Sequence, residues 1–221
     1  MLPPEHPADF VAPREDGLAL DQRPDDPRHP LGHRDAKPVP LMQETRTPWP
    51  VQPGKPQRYE YAYARGGTAN VLLCTEPLTG WRTIDITEPR PAVDWAHQIK
   101  PLLDDCYPEA DKGILVCDNL HTHKLAALYE AFKPQEARRL AQRLEIHDTP
   151  QHGSWLHIAE IALSVLTKPC LDRRLAAIGT LRQETKAWEH ERNAKPTGVD
   201  WQCTTEDARI RLKRLYPQYQ D

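Results

Sequence analysis

The run Ile114-Leu115-Val116-Cys117-Asp118-Asn119 decides how the rest of the chain is read. Four consecutive apolar residues suit a strand buried on both faces, and a carboxylate stands where that strand stops. Downstream, Leu125, Leu128, Tyr129 and Phe132 share one face of a predicted helix from about Thr122 to Phe132. A second short strand follows at Leu144-Glu145-Ile146-His147, then a loop from Asp148 through Thr149, Pro150, Gln151 and His152 to Gly153, with Ser154 as a helix N-cap. The helix after it has an apolar stripe of Trp155, Ile158, Ala159, Ala162, Leu163 and Leu166. Glu160 lies off that stripe beside His157 and Ser164, free to face a cleft.

Upstream, Pro91 opens a predicted helix carrying Val93, Ala96, Ile99 and Leu103, which Pro101 should kink or shorten. Before it, Tyr59, Tyr61 and Tyr63 alternate with other residues, Gly66-Gly67 punctuates, and Thr68 to Cys74 reads as a buried strand. The turn Pro77-Leu78-Thr79-Gly80 leads into a further alternating run, Trp81 to Thr87, giving an antiparallel three-strand meander. Leu31 to Pro38 has no strand periodicity, because His33 and Arg34 stand where apolar residues would be needed; by pattern alone Asp35 is one aspartate among many. Thirteen of the 23 prolines lie at or before Pro56. Residues 1–30 are therefore expected to form a proline-rich arm with at most a short helix around Asp9 to Leu20, and residues 31–221 the globular domain. Helices from about Ile178 to Arg192 and Thr205 to Leu215 complete an α/β architecture: a mixed sheet, antiparallel meander plus parallel strands, with helices on both faces.

Composition narrows the function. The 29 Lys+Arg against 32 Asp+Glu give a net charge of −3, so nucleic acid would have to be held locally or through metal ions. Five scattered cysteines without a Cys-x-x-Cys pair argue against a disulfide framework and a zinc knuckle, and fit a reducing cytoplasm. No apolar run is long enough for a membrane span, and the acidic, proline-rich start does not look like a signal peptide. His121-x-His123 reads as loop rather than zinc site, and Arg209, Arg211, Lys213 and Arg214 as a solvated face with phosphate contact as the alternative. Trp188 and Trp201 read as core residues.

Taken together, Asp35-x-Lys37-Pro38, Gly67-Thr68-Ala69-Asn70, Gly80-Trp81-Arg82, Asp118-Asn119-x-x-Thr122-His123 and His152-Gly153-Ser154-Trp155-Leu156-x-x-Ala159-Glu160 resemble the catalytic domain of bacterial transposases of the insertion-sequence six-thirty family, relatives of the mariner transposases. The resemblance runs in order from about Pro3 to Tyr216. It implies a ribonuclease H-like fold and a DDE triad falling on Asp35, at the end of the first strand, Asp118 and Glu160. The intervals of 83 and 42 residues leave it to the fold to unite them. It further implies cleavage and strand transfer of DNA with Mg²⁺, Mn²⁺ substituting. Three carboxylates suit that chemistry, since a pair of hard divalent cations needs oxygen ligands with positions left open for phosphate and water. Element ends and target DNA are the implied partners, with a homodimer and a helix-turn-helix region encoded upstream.

The sequence also departs from the family pattern. Ala36 stands where the family has an acidic residue, His157 replaces an asparagine, Ala162 replaces a second acid, and Pro101 interrupts a continuous helix. Because successive strand residues face opposite ways, Ala36 need not touch the metals. The helix-turn-helix region expected before the domain is absent from these residues. A second reading therefore stays open: a non-catalytic remnant that binds DNA or dimerises without cleaving.

Overall fold

The computed structural model describes residues 7–45, 54, 63–88, 91–118, 124–150, 158–199 and 202–216. In chain order the elements are α1 (Pro7–Asp21), β1 (Leu31–Glu44), β2 (Tyr63–Thr75), β3 (Arg82–Thr87), α2 (Pro91–Pro101), β4 (Gly113–Cys117), α3 (Leu125–Ala131), α4 (Pro134–Gln142), β5 (Leu144–Asp148), α5 (Ile158–Leu166), α6 (Ile178–Ala194) and α7 (Thr205–Arg211). The five strands form one sheet in the order β3-β2-β1-β4-β5. β1, β2 and β3 pair antiparallel, whereas β4 runs parallel to both β1 and β5. The expected mixed sheet is therefore present, and all five residues of β4 are buried at its centre.

Two expectations about the strands need correction. The first concerns the meander, whose third member is β1 rather than a strand around Tyr59 to Tyr63. Gly66-Gly67 does not end a strand: Leu41 alone opposes these two glycines, and Gly67 takes a φ of 105° to make the bulge, so β2 bends and continues. Tyr59 and Tyr61 lie outside the described residues. The second concerns Asp35, which sits inside the 14-residue β1 and not at its end. Periodicity missed β1 because its polar side chains are satisfied across the fold. Its prolines are tolerated because parallel pairing with β4 stops at Arg34, leaving β1 an open edge where Pro38 and Pro40 need no amide donor.

Helices cover both faces. Ala159, Leu163 and Leu166 of α5 and Leu181 and Trp188 of α6 pack on Val39, Val71, Leu73 and Ile84, while Leu20 of α1 closes over Ile114 and Val116. On the opposite face Trp95, Ala96 and Ile99 of α2, Ala127 and Leu128 of α3, and Ala137 and Leu140 of α4 pack on Cys74, Leu115 and Cys117. α4 went unread in the sequence. In α3 the buried pair is Ala127 and Leu128, whereas Leu125 and Tyr129, expected on the same apolar face, are exposed. Pro101 marks the place where α2 gives way to a wider π turn over Leu102–Cys106, closed by Tyr107 N–H donating to Leu102 O. Trp188 is in the core as expected, Trp201 lies outside the described residues, and all five cysteines are free. Arg209, Arg211, Lys213 and Arg214 are exposed, with Arg209 paired to Glu15. No described helix is long and apolar enough to cross a membrane.

The β2–β3 turn is clamped by backbone. Gly80 has a φ of 73°, and a Cβ there would come within 2.4 Å of the Thr197 carbonyl, while Val199 N–H donates to Pro77 O. Gly80→Ala is expected to cost about 2–4 kcal/mol in chemical denaturation, since neither the dihedral nor the backbone neighbour can yield cheaply. A cost under about 0.5 kcal/mol would mean that the clamp gives way freely.

Candidate active site

Parallel register brings the first two carboxylates together. Arg34 pairs with Cys117, so the next step along each strand sets Asp35 beside Asp118. The end of β4 is itself fixed, because Thr149 N–H donates to Cys117 O at 2.8 Å from the chain leaving β5. Side-chain alternation puts Asp35 on the face that carries Val39, the face covered by α5. α5 buries Ile158, Ala159, Leu163 and Leu166 and leaves Glu160 half-exposed, as the apolar stripe requires. Trp155, His157 and the capping Ser154 lie outside the described residues, as do Asn119, His121, Thr122, His123 and the loop residues Gln151 to Gly153.

The charges of Asp118 and Glu160 both reach Asp35. The Asp35 carboxyl is pushed up to about 6, chiefly by burial, and the charges of Asp118 and Glu160 push the same way. The Ala36 amide, donating to Asp35 Oδ1 at 2.7 Å, and the charge of Arg34 oppose them. Glu160 Oε2 is buried without a hydrogen-bond partner among the described residues. An acceptor-only donor set with an unsatisfied buried oxygen and mutual repulsion is what a hard divalent cation would relieve. Among the described residues, however, no three His, Cys, Asp or Glu side chains are drawn tightly enough together to grip one ion.

The repulsion has a measurable sign. A carboxylate whose folded pKa is raised stabilises the fold fully below its unfolded value near 3.8, and that contribution disappears as pH climbs through about 6. Asp35→Asn is therefore expected to raise stability by up to about 3 kcal/mol at pH 8 and to change little at pH 4. Equal effects at both pH values would mean that neither burial nor the neighbouring charges raise the Asp35 carboxyl.

Two neighbours went unassigned in the sequence. Arg34 is fully buried on the other face of β1, its Nε donating to Gln98 Oε1 at 2.5 Å and its guanidinium 5.7 Å from the Trp95 ring. Lys37, on Asp35's own face, donates from Nζ to Thr167 Oγ1 at 2.8 Å. Two-residue spacing from Asp35 was the signal for Lys37; nothing in the sequence marks Thr167.

A family model described as DDE superfamily endonuclease matches residues 34–182, two thirds of the chain and the whole span from Asp35 to Glu160. No curated protein sequence matches. Among solved structures, the chain resembles the Mos1 transposase paired-end complex with left transposon end at 15% identity and a TM-score of 0.56, over 86% of this chain and 56% of that one. The Mos1 mariner paired end complex with Mn gives 14% identity and a TM-score of 0.57, over 86% and 56%. The mariner Mos1 paired end complex with Mg gives 16% and 0.56, over 89% and 59%. These likenesses establish the ribonuclease H-like fold, and the chain spans less than two thirds of the Mos1 length.

Proposed function

Because the chain belongs to the DDE superfamily endonucleases, we propose that it is the catalytic domain of an insertion-sequence transposase of the six-thirty family, with Asp35, Asp118 and Glu160 as its acidic triad. The observation that carries this is the parallel register of Arg34 with Cys117, which sets Asp35 beside Asp118, with the charge of Glu160 on α5 also felt at Asp35. The Mos1 complexes, solved with the left transposon end, with Mn and with Mg, point the same way for substrate and metal.

In this reading each residue has a defined task. Asp118 follows directly on β4, whose five residues are all buried, so its carboxylate is presented from the end of a buried strand. Asp35 is ionised above about pH 6, its Oδ1 oriented by the Ala36 amide. Glu160 brings an oxygen with no other partner from the inner side of α5. Mg²⁺ or Mn²⁺ held by these oxygens supplies Lewis-acid stabilisation of the phosphate and activation of the attacking water or 3′-hydroxyl. The partners are element-end and target DNA, a second copy of the chain and an upstream helix-turn-helix region, and the setting is the cytoplasm.

The departures at Ala36 and Ala162, where the family has acidic residues, favour one rival, a DNA-binding remnant that no longer cleaves. Incubation of the chain, joined to a helix-turn-helix region, with element-end duplex separates the two. Nicking at the element end in Mg²⁺ or Mn²⁺ and none in EDTA is expected; binding that is indifferent to metal, with no cleavage in either ion, would favour the remnant.

A further inference from the structure

Lys37 is a cation whose charge the fold leaves standing. Its Nζ is tethered by Thr167 Oγ1 at 2.8 Å, and the Thr167 hydroxyl spends its own proton on Leu163 O at 2.7 Å. The tether is thus a neutral acceptor that aims the ammonium without neutralising it, and two of its three protons remain to be given. Some cations of this chain are matched with acids, as Lys100 is with Asp104 and Glu136, Lys186 with Glu189 and Arg28 with Asp111. Lys37 forms no ion pair among the described residues.

Its position gives that charge a purpose. Strand alternation places Lys37 on the Asp35 face, about 7 Å further along β1. Glu160, Leu163 and Thr167 follow one another on one side of α5 and the turn after it, so the seam where α5 packs on β1 carries acids at one end and this lysine at the other. A polyanion approaching three carboxylates is repelled at the acids and needs a fixed cation beside them; a compact ammonium suits a phosphate oxygen.

We propose that Lys37 contacts a backbone phosphate of DNA and so anchors the strand next to the acidic triad, an inference that rests on the function proposed above. The contact is electrostatic, so it is present without metal and independent of cleavage.

The test is fluorescence anisotropy in EDTA, with the full chain and a labelled duplex of about 20 base pairs across a range of KCl concentrations. Lys37→Met is expected to weaken binding roughly five- to tenfold near 100 mM salt and to lower the slope of log affinity against log salt by about 1. Lys37→Arg should bind within about twofold of wild type, and Lys112→Met, on the chain entering β4 at the far end of the sheet, should bind as wild type does. A melting temperature for Lys37→Met close to wild type's excludes loss of fold as the cause. Wild-type affinity and slope in Lys37→Met would overturn the inference and leave the nuclease reading intact, as would equal weakening by Lys37→Met and Lys112→Met, which marks diffuse charge. A wild-type chain that binds no duplex would likewise overturn the inference, and would leave the nuclease reading to the cleavage test with the helix-turn-helix region joined.

Discussion

Asp118→Asn is expected to reduce metal-dependent DNA cleavage by at least about a thousandfold, about 4 kcal/mol of barrier, while leaving the fold intact. The substitution is isosteric and lies just beyond β4, whose five buried residues are untouched, so circular dichroism and thermal melting should be close to wild type. What changes is the charge. An amide oxygen is a far weaker ligand for a hard dication than a carboxylate, and the field on Asp35 falls at the same time. A second readout follows from the same cause. Millimolar Mg²⁺ should raise the melting temperature of the wild type, by the equivalent of about 1 kcal/mol for a weak site, and should do so much less for Asp118→Asn. Cleavage within about tenfold of wild type would remove Asp118 from the triad; an unchanged Mg²⁺ response would remove it from the metal.

The contrast between β4 and β1 shows what a single sequence can reveal. Ile114 to Cys117 announces itself because a strand buried on both faces needs nothing but apolar residues, and the carboxylate after it is conspicuous for the same reason. α5 is legible through Ile158, Ala159, Leu163 and Leu166, and Glu160 stands out by not belonging to them. β1 hides because its partners are distant in sequence: His33 meets Asp21 at 2.7 Å, Arg34 meets Gln98, and Lys37 meets Thr167, 130 residues away. Local periodicity cannot register contacts of that kind, so Asp35 came from family resemblance rather than from pattern. α4 hides for the opposite reason, since Ala137 and Leu140 alone are too thin a stripe to stand out. Gly66-Gly67 misled because a bulge and a strand end use the same residues.

Trp95→Ala is expected to be the most damaging substitution in the core, costing about 4–5 kcal/mol and leaving much of the chain unfolded if its total stability is near the low end for a domain. Among the described residues Trp95 is the largest fully buried side chain, and it belongs to the core formed by α2, α3, α4 and the central strands. Its removal opens a cavity and strips a second group of its compensation. Arg34 is also completely buried, and its two terminal nitrogens have no hydrogen-bond partner among the described residues; the indole face at 5.7 Å and Gln98 Oε1 are what receive its charge. Burial already pulls the Arg34 pKa down, so taking away the ring exposes a destabilised cation to a hole. Trp95→Phe keeps an aromatic face and most of the volume and should cost only about 1–2 kcal/mol. The double variant Trp95→Ala with Arg34→Met should then be less destabilised than Trp95→Ala alone, because methionine fills space without charge. Urea denaturation of wild type, Trp95→Ala, Arg34→Met and the double variant gives the coupling directly, and strictly additive costs would show that ring and guanidinium do not depend on each other.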